Sequence, residues 1–120
     1  MSLKTITLEL ARNPGFPDGS AECGYEFTAP LDRDGRIDVE GWRANRDACR
    51  VRRFWRGEDD ARGHLIHTRH RTWAFSYAPG EEDDTPFFRF EAHKFVTGEY
   101  VSITEHGRTA YTFKVLSVVG

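Results

Sequence analysis

Cysteine and long apolar runs are scarce in this 120-residue chain. Its two cysteines, Cys23 and Cys49, are too few for a disulfide framework, and their place in apolar alternation favours buried thiols over a bond. The longest apolar runs are only a few residues, against the roughly 20 that a membrane-spanning helix needs. The first ten residues alternate like a strand and include Glu9, unlike the apolar stretch of a secretory signal. We therefore expect a cytoplasmic protein that does not contact the membrane.

The sequence also lacks the familiar catalytic and cofactor-binding patterns. It has no Gly-x-Ser-x-Gly segment, no glycine-rich phosphate loop and no calcium loop with alternating acids around a central glycine. Acidic residues cluster at 58–60 and 81–84, in polar segments where carboxylates stay solvated and ordinary. Cys49 adjoins Arg50, but burial would raise its pKa and make it a poor nucleophile. We predict no catalytic residue and no cofactor, and an enzyme is the least supported function.

Three histidines, His64, His67 and His70, are spaced by three along the chain. On a helix this spacing would place them on one face, but on a strand His67 points away from the other two. The segment is strand-like, so three ligands from it would need a sharp bend, and zinc sites usually draw on tightly clustered ligands. We therefore predict surface or hydrogen-bonded histidines and no metal site.

Alternation of apolar residues with period two dominates the chain, and helical periodicity is rare. Hydrophobic residues make up 38% and charged residues 30%, which is typical of one globular domain of this length. No strand-like segment alternates with a long helix, which excludes a parallel βαβ sheet. The sequence predicts a single all-β domain over residues 1–120, an antiparallel barrel or barrel-like sandwich of about eight strands with at most one short helix.

The boundaries of the predicted elements follow from apolar stripes and turn residues. A turn is expected at Asp32–Gly35, where the glycine tolerates a positive φ. Residues 39–48 fit either a short helix capped by Asp38 or a loop. The acidic segment 57–63 is predicted to be a loop, and 64–77 one long strand or a bent pair. The predicted inward stripes are Ile6, Leu8 and Leu10; Cys23, Tyr25, Phe27, Ala29 and Leu31; Trp73, Phe75 and Tyr77; Phe88, Phe90 and Ala92; and Tyr111, Phe113 and Val115.

Arginine is concentrated in one part of the chain, between Arg43 and Arg71. This stretch holds nine of the fourteen arginines against four acids, a local balance of +5 (9 − 4). Guanidinium groups form forked hydrogen bonds with phosphates and carboxylates and stack on aromatic rings, which suits an anionic partner. The simplest interpretation is that these arginines pair with the chain's own surface acids and contribute little.

Arg53 differs from its neighbours because alternation places it on the inner face with Val51 and Trp55. A buried charge without a partner is very costly, so an acid of the chain or a ligand must meet it. The first functional hypothesis is a small anionic ligand held inside the barrel by Arg53. Its binding residues would be Arg53, Trp55, Tyr25 and Trp73, with Phe27, Phe75 and Phe88 completing an aromatic lining.

Two alternative functions remain open. An exposed strand formed by Arg50, Arg52, Phe54 and Arg56 would hold nucleic acid by charge and stacking, although the net charge of −2 excludes a general positive coat. A structural domain would instead form a homodimer through an edge strand, for which Val115, Val118 and Val119 are candidates. The sequence thus predicts a small binding or interaction module, with an anionic small molecule or nucleic acid as its partner.

Overall fold

The computed structural model describes residues 2–67, 72–76, 85–89, 94–105 and 109–120, with residues 85–89 described by their backbone. It contains one short helix, α1 (Val39–Ala44), followed by a 3₁₀ turn at Arg46–Ala48. The strands are β1 (Ser2–Leu10), β2 (Ser20–Leu31), β3 (Arg50–Trp55), β4 (Glu58–His67), β5 (Thr72–Ser76), β6 (Thr85–Arg89), β7 (Tyr100–Glu105) and β8 (Thr109–Val119).

The eight strands form one sheet in the order β6-β5-β4-β3-β2-β1-β8-β7, and every pairing is antiparallel. Strands β1 to β6 follow one another as a meander, and on the other side of β1 the sheet continues with β8 and then β7. Cα atoms of β6 lie within 8 Å of those of β7, so the sheet curls until its two ends meet. The all-β, barrel-like fold predicted from alternation is therefore confirmed, as one curled sheet rather than two stacked sheets.

The inner face of the curled sheet is filled by aromatic rings. Tyr25 stacks on Phe75 with 5.1 Å between ring centroids and meets the edge of Phe113 at 5.2 Å. Phe27 contacts Phe75 at 5.3 Å and Phe95 at 5.4 Å. All five rings are at most 1% exposed, and centroid separations of this size are those of aromatic pairs in direct contact. The large side chains therefore occupy the interior themselves.

The segment that fitted either a helix or a loop is helical. Asp38 caps α1 by accepting a hydrogen bond from the Glu40 backbone amide, as its position predicted. Trp42 is buried, and its indole nitrogen donates to the Leu65 carbonyl of β4 at 2.9 Å. This bond fixes α1 against the sheet.

The prediction of a loop at 57–63 was wrong, because β4 begins at Glu58. A tight turn at Arg56-Gly57, with Gly57 at φ 81°, reverses the chain directly after β3. The acids then lie beside the arginines of β3, where Glu58 pairs with Arg53 and Asp60 with Arg52. Cross-strand pairs of opposite charge stabilise a ladder, which outweighs the poor strand propensity of acidic residues.

A β-bulge shifts the alternation of β8. Thr7 pairs with Ser117 and Leu8 with Val115, so Leu116 is an extra residue with no partner across the ladder. Leu116 is 48% exposed, and the extra residue lets Val118, three positions after the buried Val115, pack on the core. Val115 is fully buried, and β8 lies between β1 and β7. The expectation that Val115 belongs to an exposed apolar edge was therefore wrong, whereas Val119 is 64% exposed and the homodimer stays a prediction.

One buried polar side chain joins the two ends of the described chain. The Asn13 side-chain amide donates to the carbonyls of Ala11 and Thr112, at 2.8 and 2.9 Å. Its Oδ1 accepts from the Thr112 backbone amide at 2.9 Å. Asn13 thus continues the pairing of β1 with β8 past the end of β1.

Candidate functional site

Four residues of β3 and β4 form a compact basic block on the outer face of the sheet. Arg50 lies directly opposite His64, and Arg52 directly opposite Arg62. Side chains of directly opposite residues lie about 5 Å apart at Cβ, and diagonal neighbours about 7–8 Å apart. The basic block, Arg50, Arg52, Arg62 and His64, therefore directs three guanidinium groups and one imidazole into a small area.

The basic block lines an open groove of about 580 Å³ on the outer face. Hydroxyl groups lie at both sides of it, from Thr5 and Thr28 toward β1 and from Ser76 on β5. Ile66 adds an apolar surface, and Glu26 adds one carboxylate. The lining is completed by Phe27, Val51 and Gly63, which belong to the same strands.

The guanidinium groups of the block differ in how well they are neutralised. Arg52 forms an ion pair with Asp60 at 3.1 Å, approaches Glu26 at 3.8 Å and lies over the Phe54 ring at 4.8 Å. Arg50 donates from Nε to the Asp47 carbonyl at 3.2 Å, a bond to a neutral group. Within the part of the chain that the structure describes, neither Arg50 nor Arg62 forms an ion pair with a carboxylate. Two positive charges are thus left facing the groove.

Arg53 faces inward, opposite Tyr25 and on the same face as Val51. Its side chain is 13% exposed and forms an ion pair with Glu58 at 3.1 Å, while Glu58 itself is 57% exposed. The guanidinium also lies over the Trp55 ring at 4.5 Å. An acid of the chain therefore meets Arg53 at the rim of the barrel, where the ion pair borders solvent.

The other residues predicted for an internal site lie in different parts of the core and its rim. Trp55 packs at the same rim against Phe16 and Tyr111, with ring centroids 6.2 and 5.3 Å away. Tyr25 is enclosed by core rings. Trp73 lies in the same core but contacts other rings, 4.4 Å from the His67 ring and 5.4 Å from Trp42. The side chain of Phe88 lies outside the described residues.

The strand proposed for nucleic acid does point outward, but much of it is already in contact with the chain. Phe54 lies opposite Gly24, and the Arg52 guanidinium covers its ring. Arg56 forms an exposed ion pair with Glu22 at 3.3 Å. Of the three arginines proposed, Arg50 is the one that forms no ion pair with a carboxylate of the described residues.

The histidines and cysteines follow strand geometry. His64 lies in the outer groove and His67 stacks on Trp73, so the two occupy opposite faces; His70 lies outside the described residues. No three His, Cys, Asp or Glu side chains in the described ranges lie close enough together to hold a metal ion.

Cys23 and Cys49 are both free and buried, as alternation predicted. Burial raises the pKa of the Cys49 thiol above its ordinary value.

Sequence reasoning missed Arg62 and His64 as members of the block, because it placed residue 62 in a loop. The signal that would have found them is Gly57, two residues after Trp55: a tight turn there fixes the register that sets Arg62 opposite Arg52.

No family model matches the chain, and neither the curated proteins nor the solved structures include one that resembles it. No helix in the described residues is long and apolar enough to cross a membrane. The function must therefore be inferred from the groove itself.

Proposed function

We propose that this protein is a binding module without catalytic activity, and that it holds a small anionic ligand in the outer groove. Arg50 and Arg62 are the main anchors, with His64 of β4 as a further hydrogen-bonding group. The observation that carries the proposal is the direct opposition of Arg52 and Arg62 in the β3–β4 ladder.

Like charges directly opposite in a ladder destabilise a sheet. Arg52 is compensated by Asp60 and Glu26, whereas Arg62 has no carboxylate partner among the described residues. Arg50, at the diagonal position, adds a further positive charge. This arrangement costs stability in the free protein and leaves two guanidinium groups without a carboxylate partner among the described residues. Such an arrangement is expected of an anion-binding site.

The outer groove supports this function better than the interior does. The inner rings are in mutual contact, and Arg53 already has Glu58 as a partner. A ligand in the interior would have to displace buried aromatic side chains, each worth several kcal/mol when removed from a core. A ligand in the groove displaces water alone.

A small ligand fits the groove better than a nucleic acid strand. Binding to a polynucleotide draws on several phosphate contacts along a track and on aromatic faces for the bases. Here the Phe54 ring is covered by Arg52, Arg56 is paired with Glu22, and Glu26 places a negative charge in the groove itself. These features favour one or two anionic groups over a chain of them.

The test is a titration of the protein with inorganic phosphate, pyrophosphate and citrate at low salt, followed by calorimetry and thermal melting. We expect saturable binding that is lost in the Arg50→Met, Arg62→Met double variant. Arg43→Met, which removes an exposed arginine on α1, is the matched control and should bind as the unmodified chain does. The double variant should also unfold no earlier than the unmodified chain, because it relieves the repulsion with Arg52.

Equal binding by the double variant and the control, or no binding of any of the three anions, would refute the proposal. Single-stranded oligonucleotides provide the comparison with the alternative function. Binding of these that falls steeply with salt and disappears in the Arg50→Met, Arg52→Met, Arg56→Met variant would replace the small-ligand function with nucleic-acid binding.

A further inference from the structure

The groove contains more than positive charge, and its remaining groups indicate the class of ligand. On the outer face, Arg50 and His64 form the centre of a row that crosses the sheet. Ser76 lies directly opposite His64 on β5. Thr28 follows Phe27, whose partner is Val51, so Thr28 lies beside Arg50 on β2. From β2 to β5, the row therefore consists of the Thr28 hydroxyl, the Arg50 guanidinium, the His64 imidazole and the Ser76 hydroxyl.

Both hydroxyl groups are within reach of a ligand bound at the block. Neighbouring strands lie about 4.8 Å apart, so each hydroxyl is one strand spacing from the centre of charge. Within the described part of the chain, neither Thr28 nor Ser76 uses its hydroxyl group in a hydrogen bond. Two donors and acceptors are therefore available on either side of the anion.

The charge of the block matches a phosphate ester rather than a single carboxylate. Arg50 and Arg62 supply two guanidinium charges that no carboxylate neutralises among the described residues. A phosphomonoester carries about −1.5 to −2 charges and three acceptor oxygens, enough for donors approaching from two strands. One carboxylate is satisfied by a single guanidinium fork.

The groove offers little for a nucleobase. Among the described side chains that line its outer face, the His64 imidazole supplies the one aromatic ring. Stacking on aromatic side chains is the usual source of affinity for bases. The neighbouring hydroxyls suit instead a ligand whose carbon skeleton carries hydroxyl groups, with Ile66 as the apolar surface beneath it.

We propose that the ligand is the phosphomonoester of a short polyol, such as a sugar phosphate. Its phosphate lies between Arg50 and Arg62, and its hydroxyls bond to Thr28 or Ser76. This inference rests on the anion-binding function proposed above and adds the part of the ligand that the hydroxyls recognise.

The experiment compares inorganic phosphate, glycerol 3-phosphate, glucose 6-phosphate and adenosine monophosphate by calorimetry. Glycerol 3-phosphate or glucose 6-phosphate should bind more tightly than inorganic phosphate, and adenosine monophosphate no more tightly than glucose 6-phosphate. A neutral hydrogen bond is worth on the order of two- to tenfold in affinity, so the Thr28→Val, Ser76→Ala variant should lose about that factor for the polyol phosphates. Its affinity for inorganic phosphate should not change.

Thr7→Val is the matched control, because Thr7 is on the same sheet but does not line the groove. If phosphate binds through Arg50 and Arg62 but polyol phosphates gain nothing, or the hydroxyl variant retains the gain, this inference fails and the anion-binding function stands. If adenosine monophosphate binds most tightly, the ligand class is a nucleotide and the inference also fails. If no anion binds at all, both fail together.

Discussion

Replacing Gly24 with alanine should destabilise the protein even though its backbone conformation suits any residue. Gly24 pairs with Glu9 of β1 on one side and with Phe54 of β3 on the other. A Cβ atom there would lie 1.9 Å from the Leu8 carbonyl oxygen and 2.9 Å from Cζ of Phe54. The ring can rotate away, but the carbonyl belongs to the ladder and can move only if β1 separates from β2.

The expected cost combines three effects. Forcing extra volume into a packed site costs about 1–3 kcal/mol, and losing one ladder hydrogen bond adds about 0.5–1.5 kcal/mol. Alanine also restricts the unfolded chain more than glycine does, which returns about 0.4–1 kcal/mol. We therefore expect Gly24→Ala to lower the free energy of unfolding by about 2 kcal/mol, or about 1 M in the urea midpoint for an m-value near 2 kcal/mol/M.

Urea denaturation, followed by tryptophan fluorescence, measures this change. Gly15→Ala is the control, because Gly15 has φ 85° but a Cβ atom added to it would meet no other atom within 4 Å. Backbone strain alone should cost it about 1 kcal/mol, reduced by the same effect on the unfolded chain. If Gly24→Ala is no less stable than Gly15→Ala, the close approach of β1 at Gly24 is incorrect.

Two further predictions concern the buried side of the sheet. Arg53→Met should lower the free energy of unfolding by only about 1 kcal/mol in the same assay, because Glu58 is 57% exposed and stays hydrated after its partner is removed; a loss of 3–5 kcal/mol would instead indicate that a buried carboxylate had been left alone. Because burial raises the pKa of Cys49, its thiolate should be scarce at pH 8. A thiol reagent should therefore label the native protein far more slowly than the urea-unfolded protein. Equal labelling rates would contradict the burial of the thiol.

Much of the fold follows from the sequence because a half-buried strand requires alternation. The stripe Cys23, Tyr25, Phe27, Ala29 and Leu31 is buried as predicted, and Arg53 faces inward with Val51. Alternation reports which face a residue occupies, because successive side chains of a strand point to opposite sides. It does not depend on which strands are neighbours.

The candidate groove depends on which strands are neighbours, so alternation alone did not predict it. Arg62 and His64 join Arg50 and Arg52 only through the β3–β4 register, which the turn at Gly57 fixes. The acidic residues at 58–60 led to the prediction of a loop where β4 begins, because their strand propensity is low. The arginines that stabilise them lie on another strand. The bulge at Leu116 in β8 was also not predicted, because one extra residue changed which valines face the core.

The hydrogen bonds of Asn13 also bear on the order in which the protein folds. Two of them join Asn13 to Thr112, 99 positions away, and closing a loop of that length costs roughly 4 kcal/mol of chain entropy. These two hydrogen bonds, each worth about 0.5–1.5 kcal/mol, offset part of that cost once β1 and β8 meet. The β3–β4 hairpin closes only the Arg56-Gly57 turn, so it can assemble early. The basic block lies entirely on this hairpin and can therefore form before the barrel closes.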